Sequence, residues 1–444
     1  MLNFAMYLHI LITMDIEALY KIFCEHPVIT TDTRDCPKGS IFFALRGETF
    51  NGNAFAMKAL ESGCSYAVVD EVHDAAQSEY IIKVDDVLTT LQQLARYHRR
   101  ALGTKIVGVT GTNGKTTTKE LIAAVLGEKY NVLYTQGNFN NHIGVPKTLL
   151  RLTPEHDIAV IEMGANHPGE IKTLVDIVEP DCGIITNVGR AHLGGFGSFE
   201  GVIKTKGELY DFLRKDHRTV FIDAANPYLM GMTDGLELVR YSTEPLDGLK
   251  VKGEVIECAP CLTFAWSADG GPQHRVETHL IGDYNIHNML AAATIGLTFG
   301  VSEQQVSHAL ASYIPQNNRS QLTVTERNKL VVDAYNANPT SMSAALNNFS
   351  AMRVDNKMMI LGSMAELGDV SLDEHMKIID AIKASGIKDV WLVGEEFRKT
   401  NHPFRQFADV DEVKQAIKAE QPSGRCILIK GSNSQRLFQL PELL

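Results

Sequence analysis

The spacing of apolar positions changes character several times along the chain, and those changes set out its plan. Residues 15–24 carry apolar side chains at helical spacing, with Asp15 placed as an N-cap. Short apolar runs at 28–32, 40–45, 66–70 and 80–84 predict strands, with helices over 53–62 and 87–100 among them. From 105 the strands become continuous apolar runs, at 105–110, 158–161, 183–186 and 219–222, separated by helical stretches. Runs of that kind suit strands buried on both faces of a mainly parallel sheet. Residues 249–280 break the rhythm with short alternating runs and turn residues, which predicts an antiparallel excursion. An apolar helix over 286–299 follows, then an amphipathic one over 302–313 capped by Ser302. A turn-rich linker at 314–319 leads into a second strand–helix series, with strands at 330–333, 358–361, 390–393 and 426–429. The predicted fold is α/β with three domains. These are a small N-terminal α/β domain (14–103), a central phosphate-loop domain built on a mainly parallel sheet (104–313), and a C-terminal Rossmann-like domain (314–444). No internal repeat or low-complexity tract interrupts this order.

Composition changes the picture only at the margins. A chain of 444 residues, 44% hydrophobic and 21% charged, is long enough and apolar enough to bury a core in each domain. A net charge of −11 without like-charge blocks argues against nucleic acid as a partner. Seven cysteines in no framework spacing read as reduced thiols and point to the cytoplasm; Cys258-Ala-Pro-Cys261 has no second pair nearby and reads as two incidental thiols rather than zinc ligands. Met1 to Thr13 is apolar but lacks a basic leader and is too short to span a bilayer, so no stable membrane insertion is expected. Met14, next to the capping Asp15, is the more natural start.

The stretch from Lys105 to Leu121 carries the clearest chemistry. An apolar β-branched run ends in Gly111-Thr-Asn-Gly-Lys-Thr-Thr, and a helix-forming run follows to Gly127. Strand, glycine loop and helix in that order aim backbone N–H groups and the positive end of a helix at one spot, where a polyphosphate belongs. Lys115 would reach the terminal phosphates and the Thr116 hydroxyl a Mg²⁺ ion. The usual first glycine is displaced: Val109 occupies its place, flanked by Gly108 and Gly111. Ligands of open α/β sheets gather beyond the carboxyl ends of the strands. There the sequence offers Glu162, Asn187 and His192. Glu162 is a hard oxygen ligand suited to Mg²⁺. Taken alone, His192 reads as a hydrogen-bonded loop histidine, and Lys204 and Lys206 as solvated helix lysines, since a cation beside Mg²⁺ is repelled. Residues 136–146 form a long polar loop. Asn285 and Asn288 lie one helical turn apart and either face a purine edge or, in the case of Asn285, simply cap the helix.

In order along the chain, Gly108-Val-Thr-Gly-Thr-Asn-Gly-Lys-Thr-Thr-Thr, Glu162, His192, Lys206, Asn285-x-x-Asn288, Arg319 and Asp333 resemble the Mur ligases, the ATP-dependent amide-forming enzymes of peptidoglycan precursor synthesis. The resemblance runs from about Ile16 to the C-terminus; its more specific parts are Gly137-Asn-Phe-Asn-Asn-His, Glu162-Met-Gly-Ala-Asn-His, Ala191-His-Leu-Gly-Gly-Phe-Gly-Ser and Asp333-Ala-Tyr-Asn-Ala-Asn-Pro-Thr-Ser. It implies ATP bound by Gly108, Thr110, Gly111, Thr112, Asn113, Gly114, Lys115, Thr116 and Thr117, with Asn285, Asn288, Arg319 and Asp333 as further nucleotide contacts. It implies two Mg²⁺ ions held through Thr116, Glu162, His192 and Lys206, the lysine carrying a CO₂-derived carbamate that turns a repelled cation into an oxygen ligand. Lys115, Glu162, His192 and Lys206 would be the catalytic set. The implied partners are UDP-N-acetylmuramoyl-tripeptide and D-alanyl-D-alanine, taken by a monomer. Thr33, Arg34, Arg46 and Glu48 fit the N-terminal substrate pattern; Asn138, Asn140, Asn141, Asn336, Asn338 and Ser341 complete the candidate substrate contacts. Ser363 stands where the resemblance leads one to expect Asp.

Two other readings compete. A related ligase adding a single amino acid, or a folylpolyglutamate synthase, would share the glycine loop. A phosphate-loop ATPase acting as a switch would need a strand ending in Asp and an arginine finger, whereas strand 158–161 runs into Glu162.

Overall fold

The computed structural model describes residues 14–71, 78–316 and 319–444; Met1 to Thr13 and part of the 314–319 linker lie outside the described residues. The chain forms two compact units. One takes in residues up to Ile106 together with Leu133–Met163 and Thr173–Pro180; the other takes in Val107–Val132, Gly164–Lys172 and Asp181–Leu444.

The first unit contains a four-stranded parallel sheet in the order Ile29–Thr30, Ile41–Phe43, Tyr66–Val69, Ile81–Lys83. Ile29–Thr30 is shorter than its apolar run because the Thr30 hydroxyl donates to the carbonyls of Asp32 and Asp35, folding the chain into a turn. The expected helix at 53–62 begins instead as a 3-10 turn, Gly52–Phe55, capped by Asn51, before Ala56–Glu61. Helix Ile16–Glu25 starts on Asp15, whose carboxylate accepts the Ala18 N–H, as its sequence demands. It packs on Val87–Leu102 through His98, which lies between the Tyr20 hydroxyl (3.3 Å) and the Leu152 carbonyl (2.9 Å). Burial lowers the pKa of that imidazole.

The second unit is organised by one long sheet. Lys105–Thr110, Cys182–Ile185, Thr219–Asp223, Glu237–Ser242 and Val251–Cys258 run parallel. Cys261–Ala268, His274–Ile281, Gln321–Val324 and Lys329–Asp333 continue it antiparallel. Cys426–Lys430, Lys357–Gly362, Val390–Val393 and Arg405–Phe407 then restore the parallel direction. The predicted antiparallel excursion is therefore the bridge between two parallel halves, and its join to Gln321–Val324 is a single paired register, Leu280 with Gln321. Four strands had no clear apolar run to announce them: Val132–Tyr134, Glu237–Ser242, Gln321–Val324 and Arg405–Phe407. Three of these are three or four residues long, and Glu237–Ser242 is only part-buried along most of its length. The far half buries two cores, one on each face of its sheet, around Leu346, Phe349, Leu361 and Ile379 and around Ile360, Trp391, Ile417 and Ile429. Burying each such side chain contributes about 1.5–3 kcal/mol.

Helix Lys115–Gly127 packs along Asn285–Thr298, which beyond its polar first turn is largely apolar on every face, as suits a buried helix. The contact is close enough to exclude a methyl group: a Cβ at Gly296 would lie 2.2 Å from Val125 Cγ1. Gly296→Ala is expected to cost about 1–3 kcal/mol, read as a lower urea midpoint. Adding Val125→Ala should recover part of the loss; a double variant no more stable than Gly296→Ala alone would show that this contact is not the cause.

Candidate active site

The second unit places the glycine loop between Lys105–Thr110 and Lys115–Gly127, as the sequence predicts. Gly108 and Thr110 belong to the strand rather than the cradle, and Gly108 pairs with Gly183 inside the sheet. Gly111 (φ 141°) and Gly114 (φ 78°) adopt backbone conformations that favour glycine. Added Cβ atoms there would fall 2.0 Å from Thr186 Oγ1 and 2.7 Å from Asn288 Oδ1. The helix begins on Gly114, which makes no side-chain cap bond, and its first turn faces the loop.

The loop is held from one side by the segment after Cys182–Ile185. Asn113 N–H donates to Asn187 Oδ1 (3.0 Å), and the Asn113 carbonyl accepts from Thr186 Oγ1 (2.6 Å) and Asn187 Nδ2 (3.0 Å). Thr112 N–H donates to the Asn187 carbonyl (2.9 Å), and Gly189 N–H to Thr112 Oγ1 (2.9 Å). Lys115 Nζ arches over the loop onto the carbonyls of Gly111 (2.9 Å) and Thr112 (3.0 Å). Thr116 and Thr117 are buried in the first turn.

Asn285 is not the N-cap that one reading of its sequence offered. That position is Tyr284, and the Asn285 side chain, 1% exposed, lies inside the helix. Its Nδ2 donates to the Ile281 carbonyl (2.8 Å) and its Oδ1 accepts from Asn288 Nδ2 (2.8 Å). Asn288 Oδ1 in turn accepts from Thr118 Oγ1 (2.9 Å), fastening the helix to the phosphate-loop helix.

From the far half of the sheet, Asn338 reaches the loop: its Nδ2 donates to Asn113 Oδ1 (2.7 Å), while its Oδ1 caps Pro339–Ala351 by accepting the Ser341 N–H. Ser341 completes the capping box by accepting the Asn338 N–H. Both side chains, read from sequence as dipeptide contacts, are thus occupied at the edge of the phosphate loop. Asn336 Oδ1 accepts the Ala337 N–H. Asp333 is ion-paired with buried Lys430 (2.5 Å). Arg319 lays its guanidinium over the Tyr335 ring (3.8 Å), and its buried Nε has no hydrogen-bond partner among the described residues.

His192 and Lys206 both approach the Phe196 ring. Lys206, 2% exposed on helix Phe199–Arg214, is far from the solvated lysine that its residue type suggests. Its Nζ meets the Ala165 carbonyl at 3.3 Å and lies 5.2 Å from the Phe196 ring centroid. Burial, seconded by Lys115, lowers its pKa to about 7 against the pull of Glu170 and Glu208. His192 sits at φ 51°, a strained conformation for a side-chain-bearing residue that costs about 1–3 kcal/mol. Its Nδ1 meets the Glu366 carboxylate, from 174 residues further along the chain. Burial lowers the imidazole pKa, with Lys115 and Lys206 acting the same way and Glu366 opposing.

Glu366 belongs to the loop after Lys357–Gly362, which sequence reasoning quoted for its serine and passed over for its glutamate. His375 holds that loop. Its Nδ1 donates to the Ser371 carbonyl (2.7 Å), so Nε2 is free to accept the Met364 N–H (3.0 Å). The Ser363 hydroxyl donates to the Val393 carbonyl (3.1 Å), a role an aspartate carboxylate could not take. The same loop walls a pocket of about 450 Å³ lined by Glu366, Asp369, Ser371, Leu372, Glu396 and Lys399.

In the first unit, Glu162 is 1% exposed at the end of Ile158–Glu162. Its Oε1 accepts from Asn140 Nδ2 (2.8 Å), while its Oε2 is buried with no hydrogen-bond partner among the described residues. Asn141 Oδ1 accepts from Gly144 N–H (2.8 Å) just ahead of helix Gly144–Leu149, whose N-cap is Ile143, and Asn138 is exposed. Arg34 is paired with Asp32 (2.6 Å) and Arg46 with Asp70 (2.5 Å) and Glu71 (3.0 Å); Glu48 is exposed and Thr33 half-buried. Among the described residues no group of three His, Cys, Asp or Glu side chains gathers as a ready metal site, Cys258 and Cys261 included. No helix there is long and apolar enough to cross a membrane.

The chain has counterparts among known proteins. Residues 109–296 match the Mur ligase middle domain and residues 318–433 the Mur ligase, glutamate ligase domain, and the chain belongs to the Mur ligase family. It is 33% identical to the UDP-N-acetylmuramoyl-tripeptide–D-alanyl-D-alanine ligase of Bacillus subtilis, over 93% of this chain and 92% of that one. It superposes on the crystal structure of MurF from Acinetobacter baumannii with a TM-score of 0.83 at 30% identity, covering 93% and 92% of the two chains. It has the same fold as the MurF ligase from Thermotoga maritima solved in complex with ADP (TM-score 0.83, 24% identity, 94% and 96% covered).

The buried lysine makes a measurable demand on stability. In CO₂-free buffer the folded chain sheds the Lys206 proton near pH 7, whereas an unfolded lysine keeps it to about 10.5. The unfolded state therefore binds more protons between those values, so wild-type stability climbs with pH across that window and the penalty is complete below pH 7. Lys206→Met is expected to outlast wild type in denaturant at pH 6, by a margin that shrinks by pH 9. A margin independent of pH would refute the assignment.

Proposed function

We propose that this chain is an ATP-dependent carbon–nitrogen ligase that joins D-alanyl-D-alanine to UDP-N-acetylmuramoyl-tripeptide in cytoplasmic peptidoglycan precursor synthesis. The observation that carries the reading is end-to-end likeness to ligases of that name, on both sides of the phosphate loop. Residues 14–103 would hold the uridine end of the substrate, with Thr33, Arg34, Arg46 and Glu48 as candidate contacts. Residues 104–313 would hold ATP, and 314–444 would present the dipeptide. The 450 Å³ pocket suits a small zwitterion, with Asp369 for its ammonium and Lys399 for its carboxylate.

The reaction has two steps. The terminal carboxylate of the tripeptide attacks the γ-phosphorus of ATP, forming an acyl phosphate and releasing ADP. The free amine of D-alanyl-D-alanine then attacks the acyl carbon, phosphate leaves, and the nitrogen gives up a proton. The physical obstacle to the first step is that two anions must meet. Lys115 and the uncapped N–H groups of Lys115–Gly127 offset that repulsion and orient the phosphates for in-line attack. Arg319, with its unpartnered Nε, is a further phosphate contact.

The residues present fit Mg²⁺. Glu162 carries a buried carboxylate oxygen without a partner, and Thr116 offers a hydroxyl in the first turn of the phosphate-loop helix. His192 and a carbamate on Lys206, within the second unit, would be further candidate donors. When bound, Mg²⁺ neutralises phosphate charge and fixes the geometry of transfer. A pKa near 7 supports the carbamate, because only the neutral amine attacks CO₂ and half of Lys206 is neutral there.

Purified protein is expected to release phosphate only when ATP, UDP-tripeptide and D-alanyl-D-alanine are all supplied; trials with tripeptides ending in diaminopimelate or lysine identify the third residue. Hydrolysis of ATP alone at the full rate would favour a switch ATPase instead. Lys115→Ala should lower kcat about 100- to 1,000-fold, and ¹³C-bicarbonate should give a carbamate NMR signal that Lys206→Met abolishes.

A further inference from the structure

We infer that Glu366 is a positioning residue for His192: its carboxylate fixes the imidazole tautomer so that Nε2 is the nitrogen offered to a divalent cation. The inference rests on the reading of His192 as a metal ligand, and adds a residue that neither the sequence pattern nor the likeness to other ligases assigns.

The geometry supplies the argument. Glu366 Oε2 lies within hydrogen-bonding reach of His192 Nδ1. An ionised carboxylate only accepts, so Nδ1 must carry the hydrogen and the lone pair moves to Nε2. Histidines that bind metals commonly donate their other ring N–H to a carboxylate in this way, which fixes the ring and makes the ligating nitrogen more basic. Both residues are held in left-handed backbone conformations, His192 at φ 51° and Glu366 at φ 61°. Such angles in residues with side chains persist where the surroundings impose them. Those surroundings are visible. A Cβ at Gly194 would lie 3.7 Å from both the Glu366 carbonyl and Gly368 N, so the two segments pass backbone against backbone. His375 pins the Glu366 loop through the Met364 N–H, and Ser432 Oγ donates to the Ser363 carbonyl (2.7 Å). The carboxylate therefore arrives on a braced loop, although the Glu366 side chain is itself 56% exposed. Because Glu366 comes from the far half of the sheet, the metal ligand of the phosphate-loop half is oriented by the half that presents the second substrate.

The test uses the full chain and Mn²⁺ as probe. In ¹⁵N NMR spectra, with the His192 signals assigned by their loss in His192→Gln, wild type should show Nδ1 protonated and Nε2 bare; Glu366→Ala should mix the tautomers. Mn²⁺ binding in the presence of ADP, followed by electron paramagnetic resonance, should weaken about 10- to 100-fold in Glu366→Ala. Glu366→Gln, whose amide oxygen still accepts the Nδ1 hydrogen, should fall between the two. The Mg²⁺ concentration for half-maximal rate should follow the same order while KM for UDP-tripeptide stays put, and thermal unfolding confirms that each variant is folded. Unchanged or tighter Mn²⁺ binding in Glu366→Ala, with binding lost in His192→Gln, overturns the inference while leaving His192 as ligand. Unchanged binding in His192→Gln removes the ligand assignment and this inference with it.

Discussion

Three hydrogen bonds onto the backbone of one residue, Asn113, set the shape of the phosphate loop. Thr186 and Asn187 supply them from the neighbouring strand's end, and the two loop glycines exist because a side chain at either would strike Thr186 or Asn288. A loop so held presents N–H groups in fixed directions before any nucleotide arrives, so little ordering cost remains at binding. The parallel order of Lys105–Thr110 beside Cys182–Ile185 is what delivers the clasp to the right place. The apolar helix Asn285–Thr298 then locks the phosphate-loop helix from behind, through Asn288 and the methyl-tight contact at Gly296.

Burial does the corresponding work for charge. Lys206 is surrounded by Phe196, the Ala165 carbonyl and a second cation, an environment that disfavours an ammonium and favours the amine. Glu162 shows the opposite device: a carboxylate oxygen kept from water with nothing to bind. Both are costly arrangements for a protein that needed only to fold.

What could be read from the sequence was whatever is local. The strand–loop–helix of the phosphate loop, the Asp15 and Ser302 caps and the antiparallel interruption were all legible, because each depends on residues within a few positions of one another. Asn285 was ambiguous for the same reason: its spacing suits a cap or a ligand, and only the neighbouring helix shows that its amide is spent on Ile281 and Asn288. Glu366 was illegible. Nothing about a glutamate before Leu-Gly announces a partner 174 residues away, and the Asn338–Asn113 bond spans 225. Lys206 was misjudged on residue type, since its helix is amphipathic and the buried face could be assigned only once Phe196 and Ala165 were in place. Ser363 looked like a departure and is a local solution, a hydroxyl donor to a carbonyl in a closed space.

The single register that couples Leu280 to Gln321 bears on how such a protein can change over time. A sheet whose two parallel halves share many rungs cannot alter strand length or alignment in one half without disturbing the other. Here the halves share one rung, flanked by antiparallel hairpins that absorb a shift in register. The nucleotide half can therefore stay fixed while the other is lengthened, re-faced or replaced to accept a new amine, and a single phosphate-activating chassis can diversify into enzymes that extend different peptides.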